Sequence, residues 1–254
     1  MATGDTGNYI FIDGNYLREA YRKVMREYFG NDGELDLRKL KKTAEATKVF
    51  YYDAVDETAT DADARQAVLA KIQRYDGFHV RHGSVRGRRR RQKRVDVQLA
   101  VDMLGHAVRK NYWHATLVAG DLDFEPLVAE LVLLGAHIHV FFERSSAAPE
   151  LLDAADSVLD MNLPQFWDWS SNKYQQENPI PVREKNVGAP GGYQIVRRGR
   201  WRGRLVEHHQ KSNGSVNVFW VANTQDHKSW RVTFAEVGKL ERFFTSVYGA
   251  IAWG

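Results

Sequence analysis

The 254-residue chain contains no cysteine. That excludes disulfides, thiolate zinc sites and thiol nucleophiles, and it suits a reducing compartment. No run of about 18 or more apolar residues exists, so no membrane-spanning helix is expected. The opening MATGDTGNYIFID lacks a basic flank followed by a long apolar stretch, which argues against a secretory signal. Together these absences predict a cytoplasmic protein with no membrane partner. Also missing are a GxxxxGK[ST] phosphate loop, a dinucleotide-binding glycine fingerprint and a GxSxG elbow. Their absence counts against P-loop NTPases, nucleotide-cofactor oxidoreductases and α/β-hydrolases.

The net charge of +4 is modest but unevenly spread. From Gly191 onward ten Lys/Arg stand against four Asp/Glu, so the preceding residues sum to −2. Yet that acidic part contains the run RGRRRRQKR at 86–94. A basic tail beside a region holding both a basic run and clustered acids suggests a polyanionic partner, although a solubilising surface would give the same composition.

Residues up to about 165 alternate strand-like and helix-like segments. Strands are expected at Asn8–Asp13, Lys48–Tyr52, Phe78–His82, Ala115–Ala119 and Ile138–Phe142. Helices are expected at Tyr16–Phe29, Leu35–Ala46, Ala59–Tyr75, Val95–Val108 and Phe124–Leu134. In the fourth helix Val97, Val101, Leu104 and Val108 form an apolar stripe, and the arginine run reads as a loop before it. Such alternation predicts a mostly parallel sheet with helices on both faces. The ligand site of such a sheet lies outside the carboxyl ends of its strands. Asp13 ends the first expected strand, and Asp121 and Asp123 follow the fourth.

Three segments carry acids: FIDGNYL (11–17), KRVDVQLAVDML (93–104) and LVAGDLDFEPLVAELVLLGAHIHVF (117–141). Phosphodiester hydrolysis needs activated water and neutralisation of developing negative charge. Carboxylates holding Mg²⁺ or Mn²⁺ supply both, because these hard cations prefer oxygen ligands. Taken singly, each acid has a structural explanation. Asp13 before Gly14 equally opens a turn. Asp121 and Asp123 precede an expected helix and Asp96 sits near the start of one, where caps and first-turn acids are common. Asp102, six residues after Asp96, lies about 120° round a helix and is the weaker candidate.

These segments resemble the NYN family, and within it the LabA-like branch, in order, spacing and local sequence. GDLDFEPLV is similar to the branch's GD-x-DF-x-PL signature, and KRVDVQLAVDML to its K-G-V-D helix start. SSAAPELLDAADSVLDM (145–161) is similar to the family's closing segment. The resemblance covers roughly residues 8–165 and implies a PIN-like three-layer α/β/α domain acting as a metal-dependent endoribonuclease. It further implies Asp13, Asp96, Asp121 and Asp123 as catalytic, Mg²⁺- or Mn²⁺-coordinating residues, with Asp102 weaker. The family often places Asn three residues after the first Asp, whereas Tyr16 stands there. Asn15 is then the water-orienting candidate. The competing functions are a catalytically inactive RNA-binding or scaffold protein and a DNA-directed PIN-like nuclease.

Arg88, Arg89, Arg90, Arg91, Lys93 and Arg94 end two residues before Asp96, a position from which they can pair with phosphates. Residues 168–190 are rich in Ser, Asn, Gln, Pro and Gly and read as a linker between a domain at 1–167 and a small basic β-rich (α+β) domain at 191–254. Strands are expected there at Tyr193–Arg198, Gly203–His208, Val216–Val221 and Trp230–Phe234, then a helix from about Ala235. Arg198, Arg200, Trp201 and Arg202 are its nucleic-acid candidates, since basic sheets with aromatics stack bases. A homo-oligomer through this domain is the alternative. His208 and His209 share a strand, where neighbours face opposite sides, and so are poor joint metal ligands.

Overall fold

The computed structural model describes residues 7–55, 60–84, 88–222 and 229–254, with no side chain described between 83 and 94. β1 (Gly7–Asp13) runs directly into α1 (Gly14–Phe29), followed by α2 (Leu37–Thr43), β2 (Lys48–Val55), α3 (Ala62–Gln73) and β3 (Phe78–Ser84). Next come α4 (Arg88–Val108), β4 (Tyr112–Val118), a 3₁₀ turn (Leu122–Phe124), α5 (Glu125–Leu133) and β5 (His137–Phe142). α6 (Pro149–Asp153), β6 (Ser157–Asp160), α7 (Leu163–Asp168) and α8 (Asn172–Glu177) complete this half.

These strands form one sheet in the order β3-β2-β1-β4-β5-β6. Every pairing is parallel, as strand–helix alternation requires. β1 is covered on both faces. Ile10 and Ile12 join one core with Leu17, Tyr21 and Met25 of α1, while Tyr9 and Phe11 join a second with Leu99 of α4 and Val128 of α5. Strand periodicity thus divides one short segment between two layers.

α4 departs from the sequence expectation twice. Its backbone is already helical at Arg88, where a loop is expected, because Arg, Lys and Gln are good helix formers continuous with the helix that follows. Its inward face also differs. Val95, Leu99 and Met103 are 8%, 1% and 0% exposed, whereas Val97, Val101 and Val108 stand 62%, 59% and 64% exposed. Two residues turn a helix by about 200°, so the two apolar stripes lie on opposite sides. Spacing alone could not say which one meets the sheet.

The C-terminal sheet contains β7 (Val182–Lys185), β8 (Tyr193–Trp201), β9 (Arg204–Lys211), β10 (Asn217–Val221), β11 (Trp230–Phe234) and β12 (Ala252–Trp253). It is antiparallel, in the order β12-β8-β9-β10-β11-β7. Helix α9 (Val237–Tyr248) buries Leu240, Phe243 and Phe244 in its core. The stretch read as a linker carries α8 and the edge strand β7, whose sequence VREK offers no apolar periodicity to reveal it. The two units touch: the Tyr28 hydroxyl donates to the Lys239 carbonyl at 3.0 Å, and the Tyr28 and Phe243 rings lie 6.3 Å apart.

Leu99→Ala should destabilise the protein by about 2–5 kcal/mol, the usual cost of such a cavity. Val101→Ala should change stability by less than about 0.5 kcal/mol. Denaturant unfolding of both variants checks this, and equal costs would overturn the assignment of the inward face of α4.

Candidate active site

Strand order reverses between β1 and β4. The helix leaving β1 covers one face of the sheet and the helix following β4 covers the other. A crevice opens where the two connections part, outside the carboxyl ends of the strands. Asp13 is the last residue of β1. Asp121 follows β4, whose Val118 pairs with Ile12. Residue placement at this reversal is therefore set by topology.

Asp13 also caps α1, its Oδ1 accepting from the backbone N–H groups of Asn15 and Tyr16 at 3.0 Å each. It is only 6% exposed. Burial raises its pKa; the two backbone hydrogen bonds and the Arg18 charge oppose this, the Asp121 carboxylate adds to it, and the balance is upward. Asp96, partly buried on α4, is pushed up to about 7, first by burial and then by the fields of Asp13, Asp121 and Asp123. Asp121 and Asp123 are exposed. The Asp121 Oδ1 accepts from the Asp123 N–H at 3.1 Å, starting the 3₁₀ turn. Asp96 thus lies within the electrostatic reach of Asp13, Asp121 and Asp123. Among the described residues, however, no three His, Cys, Asp or Glu groups have the spacing to hold a single metal ion. Like charges brought together without a counter-ion repel and favour protonation.

Asp102 is engaged elsewhere. Its carboxylate accepts from the Tyr52 hydroxyl at 3.0 Å and the Gln98 amide at 2.8 Å, and lies 3.4 Å from Arg81 Nε. It is absent from the charges that raise Asp96. The Asn15 Oδ1 accepts from Arg18 Nη2 at 2.7 Å, so its carbonyl end is already occupied.

That arginine leads to a residue that the sequence pattern did not bring forward. Asp53, 2% exposed near the carboxyl end of β2, accepts from Arg18 Nη1 at 3.0 Å and from the Ala54 N–H at 2.8 Å, and pairs with Arg65. A buried carboxylate needs such partners to remain charged. One signal was available: Asp53 closes YYD as Asp13 closes FID, one acid at the end of each adjacent strand.

Nucleic-acid candidates divide into two groups. The side chains of Arg88, Arg89, Arg90, Arg91, Lys93 and Arg94 lie outside the described residues. In the C-terminal sheet, Trp201 is 9% exposed, packs edge-on against Trp230 and Phe244, and donates its indole N–H to the Tyr248 carbonyl at 2.8 Å. Its ring belongs to the core of the small sheet. Arg198 pairs with Glu207 at 2.8 Å, Arg200 donates to the Gly203 carbonyl at 3.2 Å, and Arg202 lies over the Trp201 ring at 5.0 Å. His208 contacts Asn217 and His209 contacts Glu207, so the two imidazoles have separate partners. No helix among the described residues is long and apolar enough to cross a membrane.

The NYN domain family matches residues 8–162, the span holding all four acids. A curated relative, the low amplitude and bright protein LabA of Synechococcus elongatus, is 26% identical over 197 residues, covering 71% of this chain and 95% of its own length. A solved structure of a Vibrio parahaemolyticus protein of unknown function is 18% identical, covers 67% of this chain and all of its own, and gives a TM-score of 0.49. With well over half of its length matched, this chain belongs to the NYN domain family, a PIN-like nuclease family.

Proposed function

We propose that this protein is a divalent-cation-dependent endoribonuclease whose site comprises Asp13, Asp96, Asp121 and Asp123. One observation carries the reading: the Asp96 carboxyl is driven up to about 7 partly by three other aspartates at the strand-order reversal. Such repulsion is costly unless a cation offsets it. The donor set fits Mg²⁺ or Mn²⁺, being made of hard carboxylate oxygens with no thiolate or imidazole. A cation bound there would supply Lewis acidity toward water and toward a phosphoryl oxygen. The chain's own residues do the remainder. Asp13 is fixed by the α1 amides, and the charge of Arg18 favours its ionised form. Asp96 holds or gives up a proton near neutrality. The run at 88–94 holds the phosphate backbone of the strand, with hydrolysis leaving 5′-phosphate and 3′-hydroxyl ends. The nuclease domain runs from β1 through α8, and the small β-rich accessory domain from β7 onward.

The open spacing of the carboxylates favours one other reading, a nucleic-acid-binding protein that does not cleave. Incubation with labelled single- and double-stranded RNA and DNA, with and without Mn²⁺, separates the readings. Cleavage of RNA only with the cation is expected; cation-independent or absent cleavage would overturn the proposal. Asp13→Asn and Asp121→Asn should each lower the rate by more than about 100-fold, the upper range for loss of an outer-shell partner, while leaving RNA binding in place. Full activity in either would remove that residue from the site.

Asp96 also sets a pH dependence of stability. Its native carboxyl holds a proton more tightly than the unfolded chain does, so this contribution to stability is complete below about pH 4. It is lost as pH rises through about 7. In the absence of divalent cations, Asp96→Asn should therefore melt above the parent at pH 8, with the gap closing near pH 4. A gap that is constant across this range would show that Asp96 does not feel the other three acids.

Replacing Arg88–Arg91 with Ser should weaken RNA affinity and lower the slope of log affinity against log salt by about 0.7 for each phosphate left without its arginine. The cleaved bond should stay the same, because phosphate contacts carry no sequence information directly. An unchanged slope would make the run a solvated helix start.

A further inference from the structure

Tyr16 joins three separate segments at the edge of the site. Its backbone N–H donates to Asp13 Oδ1 at 3.0 Å, which fixes its place in the first turn of α1. Its hydroxyl oxygen, at the far end of the side chain, accepts from the Glu143 N–H at 2.8 Å and the Ser146 Oγ at 3.4 Å. Both groups follow β5. Between these anchors the ring lies against Gly120, the residue before Asp121. A Cβ on Gly120 would come within 2.6 Å of Tyr16 Cε2 and 2.5 Å of the Ser146 carbonyl oxygen. Only glycine permits so close an approach. The Gly120 carbonyl in turn accepts from the Ala148 N–H at 3.0 Å.

We infer that Tyr16 is a positioning residue: it clamps the 143–148 loop over Gly120 and so holds the turn bearing Asp121 and Asp123 opposite Asp13. The inference rests on the proposed nuclease site and extends it to an outer residue. Its chemistry suits the task. An aromatic ring has few torsions to immobilise, and its hydroxyl reaches across the crevice to a loop that a short amide side chain on the first turn of α1 would not span. Burial raises the pKa of the phenol, so the neutral hydroxyl persists at physiological pH. The loop is further stiffened by Glu143. Burial opposes ionisation of its carboxyl, but hydrogen bonds from Ser145 and Ser146 together with the charge of Lys23 prevail and lower its pKa. Where the family often has an asparagine, this chain therefore uses a tether between two site loops.

Tyr16→Phe, which keeps the ring and removes the hydroxyl, is the test. Three quantities are compared with the parent: Mn²⁺ affinity by calorimetry, amide hydrogen exchange of residues 121–124 and 143–148, and the Mn²⁺ dependence and KM of RNA cleavage. Tyr16→Phe should weaken Mn²⁺ binding by about 10–100-fold, as loss of an outer-shell partner does. It should also speed exchange in both segments, and raise the Mn²⁺ needed for half-maximal cleavage with little change in the KM for RNA. Ser146→Ala, which removes the longer hydroxyl contact together with the Ser146 hydrogen bonds to Glu143 but keeps the Glu143 N–H bond to Tyr16, should give a smaller change in the same direction. If Tyr16→Phe lowers the melting temperature while leaving Mn²⁺ affinity and exchange at 121–124 unchanged, the residue is merely structural and the inference fails. Should the parent neither bind Mn²⁺ nor cleave RNA, the nuclease reading fails instead. Exchange at 121–124 still decides the clamp in that case, and unaltered exchange overturns it.

Discussion

Between β1 and β4 the sheet stops growing in one direction and begins growing in the other, and the connecting helices part to opposite faces. Hydrophobic coverage of both faces of a parallel sheet requires this arrangement. It leaves the carboxyl ends of the two central strands as the place where polar groups can gather without breaking a core. Asp13, with its backbone in a strand and its carboxylate turned to a helix N-terminus, occupies one side. The Gly120–Asp123 turn occupies the other.

Charge at the opening is balanced by neighbours of differing solvation. Amides of the first α1 turn stabilise Asp13 as they would any N-cap carboxylate. Behind them the buried Asp53 is matched by Arg18 and Arg65, and Arg18 reaches forward to Asn15. Among the described residues, the charges acting on Asp96 are carboxylates. The buried Asp53 thus has two guanidinium partners, whereas Asp13 and Asp96 are the carboxyls whose ionisation burial and neighbouring acids oppose.

The C-terminal unit carries the excess positive charge, yet much of that charge is spoken for. Arg197 pairs with Glu241, Arg198 with Glu207 and Arg231 with Glu184, while Arg183 lies over Trp230 and Tyr248. Guanidinium groups on aromatic faces and beside carboxylates serve packing as well as charge. The union of α9 with Tyr28 makes this unit a neighbour of the helix that Asp13 caps.

Much of this was legible in the sequence. Alternating apolar runs and amphipathic helices dictated the parallel sheet, and acids after the apolar runs of strands one and four marked the edge that holds the candidate site, because both signals are local. Asp53 falls just past the expected strand Lys48–Tyr52, whereas β2 runs three residues further, to Val55, and carries it. What tertiary structure decided was everything that depends on which of two equivalent partners a residue meets. Val97 and Leu99 are both apolar at helical spacing, and only the sheet chose Leu99. Trp201 and the arginines around it fit a basic stacking surface or a core edge equally well, and packing against Trp230 and Phe244 chose the latter. Tyr16 shows in the sequence only as a departure from a motif, and its hydroxyl contact with a loop 127 residues away was decided by tertiary structure, since a contact of that separation leaves no periodic trace in the chain.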